Sequence, residues 1–146
     1  LSYFNCAVGG PIAGRHHLLD ANLDWGQDLL SLRLWIDQHP EASPMRLSYF
    51  GLVHPKIAGL NCRRIGQSTG TRAVVDPESG WYAISVNHLM GYRHYDSVPL
   101  DLTAFQALQP AATAGYSIYI YHVSGGHTAG LIASKAAKLQ AKPGNP

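Results

Sequence analysis

Charged side chains are scarce in this sequence: Asp, Glu, Lys and Arg make up 14% of the 146 residues, against 46% hydrophobic residues. That balance excludes an intrinsically disordered chain, which would combine high charge with few apolar residues. The net charge is only +2, and Arg63-Arg64 is the only adjacent basic pair. Since a nucleic-acid-binding domain clusters its Lys and Arg on one face, we expect no nucleic-acid partner.

Long hydrophobic runs and paired cysteines are also lacking. No apolar stretch approaches the ~20 residues that cross a bilayer, and residues 116–123 are only as long as a strand. Cys6 and Cys62 form no CxxC pair, which excludes a zinc knuckle. They are either two unrelated buried thiols or, in an oxidising compartment, a disulfide. The sequence begins in an apolar stretch without a signal-peptide pattern, and we expect membrane segments to precede it.

A helix is the clearest element that the sequence predicts. Trp25, Leu29, Leu32 and Ile36 stand at i, i+4, i+7 and i+11, on one face of a 3.6-residue period. This stripe favours burial of all four, Trp25 included. The pair His39-Pro40 predicts the end of the helix, because a residue before proline avoids the helical region.

The start of that helix carries its own signals. Asp24 is the predicted N-cap, with Gln27 three residues on as in a capping box. Asp28 would add negative charge in the first turn, where the helix dipole favours it.

Strands on either side of this helix predict a βαβ unit. Residues 15–19 and 46–51 are the flanking strands, residues 81–89 and 116–123 are further strands, and residues 98–108 and 128–141 are further helices. Alternation in 116–123 places Ile118 and Ile120 on one face, and Tyr119, Tyr121 and Val123 on the other. We therefore expect an α/β fold of three layers, with a small, mainly parallel sheet and flanking helices. One domain would span 1–146, with an irregular entry segment at 1–14 and a helix and frayed tail at 124–146.

Acidic and amide groups concentrate between Asp20 and Asp28, which we call the Asp loop. It would lie where a strand ends and a helix begins, a position at which open α/β sheets bind ligands. Three interpretations compete: helix capping without a ligand, a polar ligand such as a sugar resting on Trp25, and calcium. The candidate ligand-binding residues are Asp20, Asn22, Asp24, Trp25, Gln27, Asp28, Asn87 and Tyr121.

Metal and phosphate chemistry find little support in the sequence. The spacing Asp20, Asn22, Asp24 copies the start of an EF-hand, but Ser31 stands where the bidentate Glu should be, which argues against calcium. No HExxH motif is present, and we expect neither a metal site nor a cofactor. Gly125 and Gly130 have the spacing of a P-loop, but Leu131-Ile132 replace its Lys and Ser/Thr.

Three stretches resemble one family, the bacterial polytopic glycosyltransferases related to the dolichyl-phosphate-mannose protein mannosyltransferases. They are Phe4-Asn5 with Gly9-Gly10-Pro11, the stretch LDANLDWGQDL at 19–29, and AGYSIYIY at 114–121. The segments LSYFG at 47–51 and GWYAISV at 80–86 are also similar to the tail that follows the last membrane span in such enzymes. The resemblance covers roughly residues 1–123, and the stretch at 19–29 is its most specific part.

The resemblance implies context rather than mechanism. It implies a non-catalytic accessory domain on the extracytoplasmic (periplasmic) face of a bacterial inner membrane. The domain would be joined to the membrane-embedded part of the same polypeptide, whose sugar donor is polyprenyl-phosphate-linked, and would engage a glycan or protein acceptor. Cys6 stands where the family has Glu, so a carboxylate role at that position is lost. The resemblance places the catalytic acid in an early extracytoplasmic loop of the membrane part, outside this sequence, so no catalytic residue is carried over. The alternative is a free-standing α/β binding module or enzyme with its pocket at the Asp loop.

Overall fold

The computed structural model describes residues 24–65, 73–75, 77–92 and 100–125. The predicted elements at 1–14, 15–19 and 128–141 lie outside these residues. The helices and strands of the described part are, in chain order, α1 (Leu29–Gln38), β1 (Arg46–Ser48), β2 (Arg63–Arg64), β3 (Ala73–Val74), β4 (Gly80–Ser85), α2 (Val86–Leu89), β5 (Leu100–Asp101), α3 (Thr103–Gln106), β6 (Ala112–Ala114) and β7 (Ile118–Val123). Two 3₁₀ turns, Pro40–Ala42 and Pro55–Ala58, lie in the connections.

The fold is mixed α/β, built on a five-stranded sheet in the order β2-β1-β4-β7-β6. The pairs β2–β1 and β1–β4 are parallel, whereas β4–β7 and β7–β6 are antiparallel. The sheet is therefore mixed, where the sequence predicts a mainly parallel one. The connection from β6 to β7 covers only residues 115–117, and so short a link joins antiparallel strands alone. Strands β3 and β5 form a separate parallel pair.

Helix α1 ends as the sequence predicts but begins later. Its last residue is Gln38, directly before His39-Pro40. Its first residue is Leu29, because Gly26 has a φ of +80°, which interrupts the helical path. The predicted burial of Trp25 is consequently wrong: it precedes the helix, and 69% of its surface is exposed.

The predicted cap is also wrong. Asp28, not Asp24, stands at the N-cap of α1, and its side chain makes no capping hydrogen bond to the helix. The carboxylates of Asp24 and Asp28 instead accept hydrogen bonds from Ser85 and Ser117, respectively.

Both faces of the sheet carry buried apolar residues. On one face Leu29 and Leu32 of α1 pack with Ile118 and Ile120. The other face contains Tyr119, Tyr121 and Val123, packed with residues of α2 and α3. The predicted alternation of β7 is thus confirmed, and the strand is covered on both sides.

Two further predicted elements prove shorter than expected. The strand predicted at 81–89 ends at Ser85, and the single helical turn α2 follows. The helix predicted at 98–108 is divided between β5 and α3, and the Asp101 carboxylate accepts hydrogen bonds from the N–H and hydroxyl of Thr103. Within the described ranges, no helix combines the length and the apolarity needed to cross a bilayer.

Candidate functional site

The described part of the Asp loop, residues 24–28, lies at one end of the sheet and contacts residues at or next to the ends of three of its strands. Asp24 accepts a hydrogen bond from Ser85, the last residue of β4. Tyr49, directly after β1, donates from its hydroxyl to the Gly26 carbonyl at 3.0 Å. Asp28 bonds to Ser117, just before β7. The loop therefore covers the carboxyl ends of β1 and β4, the edge that the sequence predicts for a ligand site.

Asp28 fixes the turn that leads into β7. Its Oδ2 accepts hydrogen bonds from the backbone N–H of Tyr116 at 2.8 Å, and from the N–H and hydroxyl of Ser117, both at 2.9 Å. Gly115 lies beneath the carboxylate with a φ of +59°, and a Cβ there would overlap the carboxyl group. The carboxylate is thus an internal acceptor for a neighbouring segment, not a helix cap.

Asp24 is the most enclosed acidic residue among those described, with no exposed surface. Its Oδ1 accepts a hydrogen bond from the Gly26 N–H at 2.7 Å, and its Oδ2 accepts one from the Ser85 hydroxyl. Burial raises the pKa of this carboxyl, and the negative charge of Asp28 raises the pKa further, while hydrogen bonds from Ser85, Gly26 and Ser117 lower it in part. Burial is the largest of these effects, so Asp24 holds its proton to higher pH than a solvated aspartate.

Tyr49 links the Asp loop to the segment after β1. Its ring lies between Gly26 and Gly51, and a Cβ at either glycine would overlap the ring or its hydroxyl. Burial and the nearby Asp24 carboxyl raise the pKa of the Tyr49 hydroxyl, which therefore stays protonated and able to donate. The two loops are consequently held in a close approach that only glycine permits.

A second buried polar pair lies at the same end of the sheet. Ser48 Oγ, at the end of β1, lies 2.9 Å from His88 Nδ1 in α2, and both residues are almost fully buried. The Phe50 ring contacts the edge of the imidazole, with ring centroids 5.7 Å apart. This pair is not predictable from the sequence, because the two residues are 40 positions apart and no local motif signals their contact.

The structure brings some of the candidate residues together and separates others. Asn87 is fully buried beside the loop, with its Nδ2 3.4 Å from the Asp24 carbonyl. Gln27 folds back, and its Oε1 accepts a hydrogen bond from the Trp25 N–H at 2.6 Å. Tyr121 does not belong to the site: it is buried in the core, 5.5 Å from the Phe105 ring, and pairs with Tyr82, three positions from the Asp24 end of β4.

Asp20 and Asn22 lie outside the described residues, and among the other candidates Trp25 and Gln27 are exposed. The Trp25 ring is largely exposed although the loop around it is fastened by Asp24, Asp28 and Tyr49. Such an aromatic face offers apolar area to the C–H groups of a sugar. The buried carboxylates orient this surface without facing solvent themselves.

Metal-binding geometry is absent from the described ranges, where no group of three or more His, Cys, Asp or Glu residues is placed to hold an ion. Cys62 is half-buried, and burial raises the pKa of its thiol. Cys6 lies outside the described residues.

Comparison of the chain with protein-family models, curated proteins and solved structures finds no match.

Proposed function

We propose that this chain is a non-catalytic accessory domain of a membrane glycosyltransferase that uses polyprenyl-phosphate-linked sugars, and that its Asp loop engages a glycan or a glycan-bearing acceptor. The domain would lie on the periplasmic face of a bacterial inner membrane, joined to the membrane-embedded part of the same polypeptide. The stretches at 19–29 and 114–121 that resemble this family support the context.

The observation that carries the binding role is the exposure of Trp25 on a fastened loop. A tryptophan ring that is 69% exposed contributes little hydrophobic stabilisation to the folded state. The loop beneath it is nevertheless held by the enclosed Asp24 and by three hydrogen bonds to Asp28. A prearranged aromatic platform loses little entropy on binding, which is what a weak sugar ligand requires.

The same geometry supports a role without catalysis. Asp24 and Asp28 are the carboxylates of the described loop, and both are buried. Both oxygens of Asp24 and Oδ2 of Asp28 accept hydrogen bonds from internal donors. Neither carboxylate faces solvent, where a general base would meet a substrate. Ser48 and His88 are almost fully buried, so no substrate reaches that pair in this conformation.

Two observations test the proposal at the level of the whole protein. The reading frame upstream of Leu1 should encode many membrane spans, whereas a frame that starts near Leu1 favours a free-standing module. The purified chain, incubated with a polyprenyl-phosphate sugar and acceptor, should transfer no sugar above a boiled control. Turnover above that control would contradict the accessory role.

A direct test of binding follows backbone amide signals during titration with mono- and disaccharides. The proposal predicts shifts centred on residues 24–28 and on the Trp25 indole. Shifts centred on another segment would remove the loop as the site.

The three-layer arrangement belongs to this proposal as well. It is supported by α1 on one face of the sheet and by α2 and α3 on the other, each over its own apolar cluster.

A further inference from the structure

A second exposed aromatic side chain lies beside the Asp loop. Among the Trp, Tyr and Phe side chains that the structure describes, two are more than half exposed: Trp25 at 69% and Tyr116 at 59%. Tyr116 belongs to the turn of residues 115–117, which joins β6 to β7. The two residues are distant in the sequence, but their segments meet at one end of the sheet.

Hydrogen bonds hold the turn of residues 115–117 against the Asp loop at two places. Oδ2 of Asp28, the last residue of the loop, accepts the N–H of Tyr116 itself at 2.8 Å. The side chain of Ser117 bonds to Asp28 and also to Asp24, the first described residue of the loop. Trp25 directly follows one member of the pair Asp24–Ser117 in the chain, and Tyr116 directly precedes the other, so each is about 3.8 Å along the backbone from it.

The turn approaches the loop without space between them. Gly115 has a φ of +59°, and a Cβ there would overlap the Asp28 carboxyl group. The bonds that fasten the turn come from the backbone N–H groups of Tyr116 and Ser117 and from the Ser117 hydroxyl. None of them involves the Tyr116 ring. The ring therefore projects from a fixed backbone that does not depend on it.

The exposed surface of these two segments carries no charge. Both carboxylates of the loop are buried, and so is Ser117. The residues exposed in 24–28 and 115–117 are Trp25, Gln27, Gly115 and Tyr116. Two rings, an amide and a phenol suit a neutral ligand whose C–H groups lie on the rings and whose hydroxyls meet the polar groups, as in a sugar. A phosphate ligand would call for cationic donors, which the exposed residues of these segments do not supply.

We propose that Tyr116 is a second aromatic contact of the glycan site, and that the site takes an oligosaccharide of at least two sugar units, one on Trp25 and the next on Tyr116. This inference rests on the proposed binding of a glycan at the Asp loop and names its length. Because both rings project from fastened segments, the second contact requires little further ordering of the backbone. Two weak contacts joined in one ligand also bind more tightly than either does alone.

The test is a titration of the 146-residue chain with two matched pairs of sugars, mannose with α-mannobiose and glucose with maltose, followed by amide shifts. Tyr116→Ala removes the ring but keeps the backbone N–H that bonds to Asp28. Tyr116→Phe keeps the ring and removes the hydroxyl. Leu34→Ala is the matched control, because Leu34 is similarly exposed, at 64%, but lies within α1. Circular dichroism confirms that each variant is folded.

We expect the wild-type chain to bind at least one disaccharide more tightly than the corresponding monosaccharide, with shifts centred on residues 24–28 and extending to 115–117. Tyr116→Ala should bind that disaccharide about fivefold more weakly, the effect of leaving roughly 40 Å² of apolar surface unburied. Its binding of the monosaccharide should stay nearly unchanged. Tyr116→Phe and Leu34→Ala should match the wild-type chain. Nuclear Overhauser contacts from the Tyr116 ring protons to the sugar should appear with the disaccharide.

Several results would overturn the role of Tyr116. Full disaccharide affinity in Tyr116→Ala, or an equal loss in Leu34→Ala, would show that the ring makes no specific contact. A Tyr116→Phe variant as weak as Tyr116→Ala would assign the contact to the hydroxyl instead of the ring. Equal losses for the monosaccharide and the disaccharide would mean that one sugar contacts both rings.

Failure of this inference is distinguishable from failure of the proposed function. If the wild-type chain binds sugar at residues 24–28 and Tyr116→Ala binds it equally well, the Asp loop remains the glycan site and only its length is wrong. If the wild-type chain binds neither pair of sugars, both the site and its extension to Tyr116 are wrong.

Discussion

Asp28 receives two hydrogen bonds from Ser117, one from its backbone N–H and one from its hydroxyl, both at 2.9 Å and across 89 positions of the sequence. This contact joins the end of the Asp loop to the start of β7. The carboxylate is held toward Tyr116 and Ser117 and makes no hydrogen bond to the first turn of α1, so an aspartate at the N-cap position leaves the helix uncapped. The loop is therefore fixed by tertiary structure rather than by the helix that follows it.

Removal of that acceptor should destabilise the fold. Asp28→Ala leaves the N–H of Ser117 and its hydroxyl without a partner in a buried place, and we expect a loss of about 3 kcal/mol in the free energy of unfolding. Asp28→Asn keeps one carbonyl oxygen and should lose less. The matched control is Asp37→Ala, because Asp37 forms only an exposed pair with Arg33, for which we expect less than about 1 kcal/mol. Urea unfolding measures all three, and equal losses for Asp28→Ala and Asp37→Ala would contradict the assigned role.

A methyl group at Gly26 should be costly for two separable reasons. Gly26 and Gly91 have similar positive φ values, +80° and +85°, but a Cβ at Gly26 would overlap the Tyr49 hydroxyl, whereas nothing lies within 4 Å of a Cβ at Gly91. Gly91→Ala therefore measures backbone strain alone, about 1 kcal/mol. We expect Gly26→Ala to lose at least about 1 kcal/mol more, as overpacking does.

The Tyr49 ring supplies the internal check on this explanation. In a Tyr49→Phe background the hydroxyl is gone, and the extra loss caused by Gly26→Ala should shrink. An unchanged loss in that background would show that the clash involves other atoms.

The buried Asp24 should make stability depend on pH in a defined direction. Burial raises the pKa of Asp24 above its ordinary value of 3.8. The folded state therefore binds more protons than the unfolded state, and the stability that Asp24 contributes is full below its unfolded pKa and declines as the pH rises to its folded pKa. Asp24→Asn removes this ionisation while keeping an oxygen acceptor for the Gly26 N–H.

The measurement compares wild type and Asp24→Asn by urea unfolding at several values between about pH 3 and 7. The other carboxylates are common to both proteins. We expect the difference in unfolding free energy to move in favour of Asp24→Asn as the pH rises. A difference that stays constant, or that moves in favour of wild type, would contradict the raised pKa.

Local signals in the sequence predict the elements whose cause is local. The end of α1 follows from His39-Pro40, and the two faces of β7 follow from strict alternation. Burial of Trp25 is wrongly predicted because a residue four positions before Leu29 remains in helical phase even when the helix has not begun. The positive φ of Gly26 is what places Trp25 before the helix rather than in its first turn. The sequence does not reveal this φ, because many glycines lie within helices at an ordinary negative φ.

The internal contacts of the site have no such local cause. Ser85 and Ser117 reach the Asp loop from 61 and 89 positions away, and the pairing of β7 with β4 brings them there. Serine is also a common residue in the turns next to strands, so its presence there does not by itself indicate such a contact. The acidic residues of the loop are visible in the sequence. Whether their carboxylates face a ligand or the interior depends on distant hydrogen-bond donors, and a single sequence does not show which donors lie beside them.

Exposure of Trp25 makes its replacement informative about function rather than folding. Trp25→Ala should change the unfolding free energy by less than about 0.5 kcal/mol, since the ring is mostly in solvent. Trp81→Ala is the matched control for loss of an indole, because Trp81 is partly buried and stacks on His122 with ring centroids 4.4 Å apart. A loss for Trp25→Ala as large as that for Trp81→Ala would mean that the ring is packed after all.

The most direct test of the account is the sugar titration of wild type and Trp25→Ala side by side, followed through backbone amide shifts at up to millimolar ligand. The account predicts saturable shifts in the amides of residues 24–28 of the wild-type chain, and their loss in Trp25→Ala although that variant remains folded. Shifts that persist unchanged in Trp25→Ala, or the absence of any shift in wild type, would contradict the assignment of this loop as a glycan-binding surface.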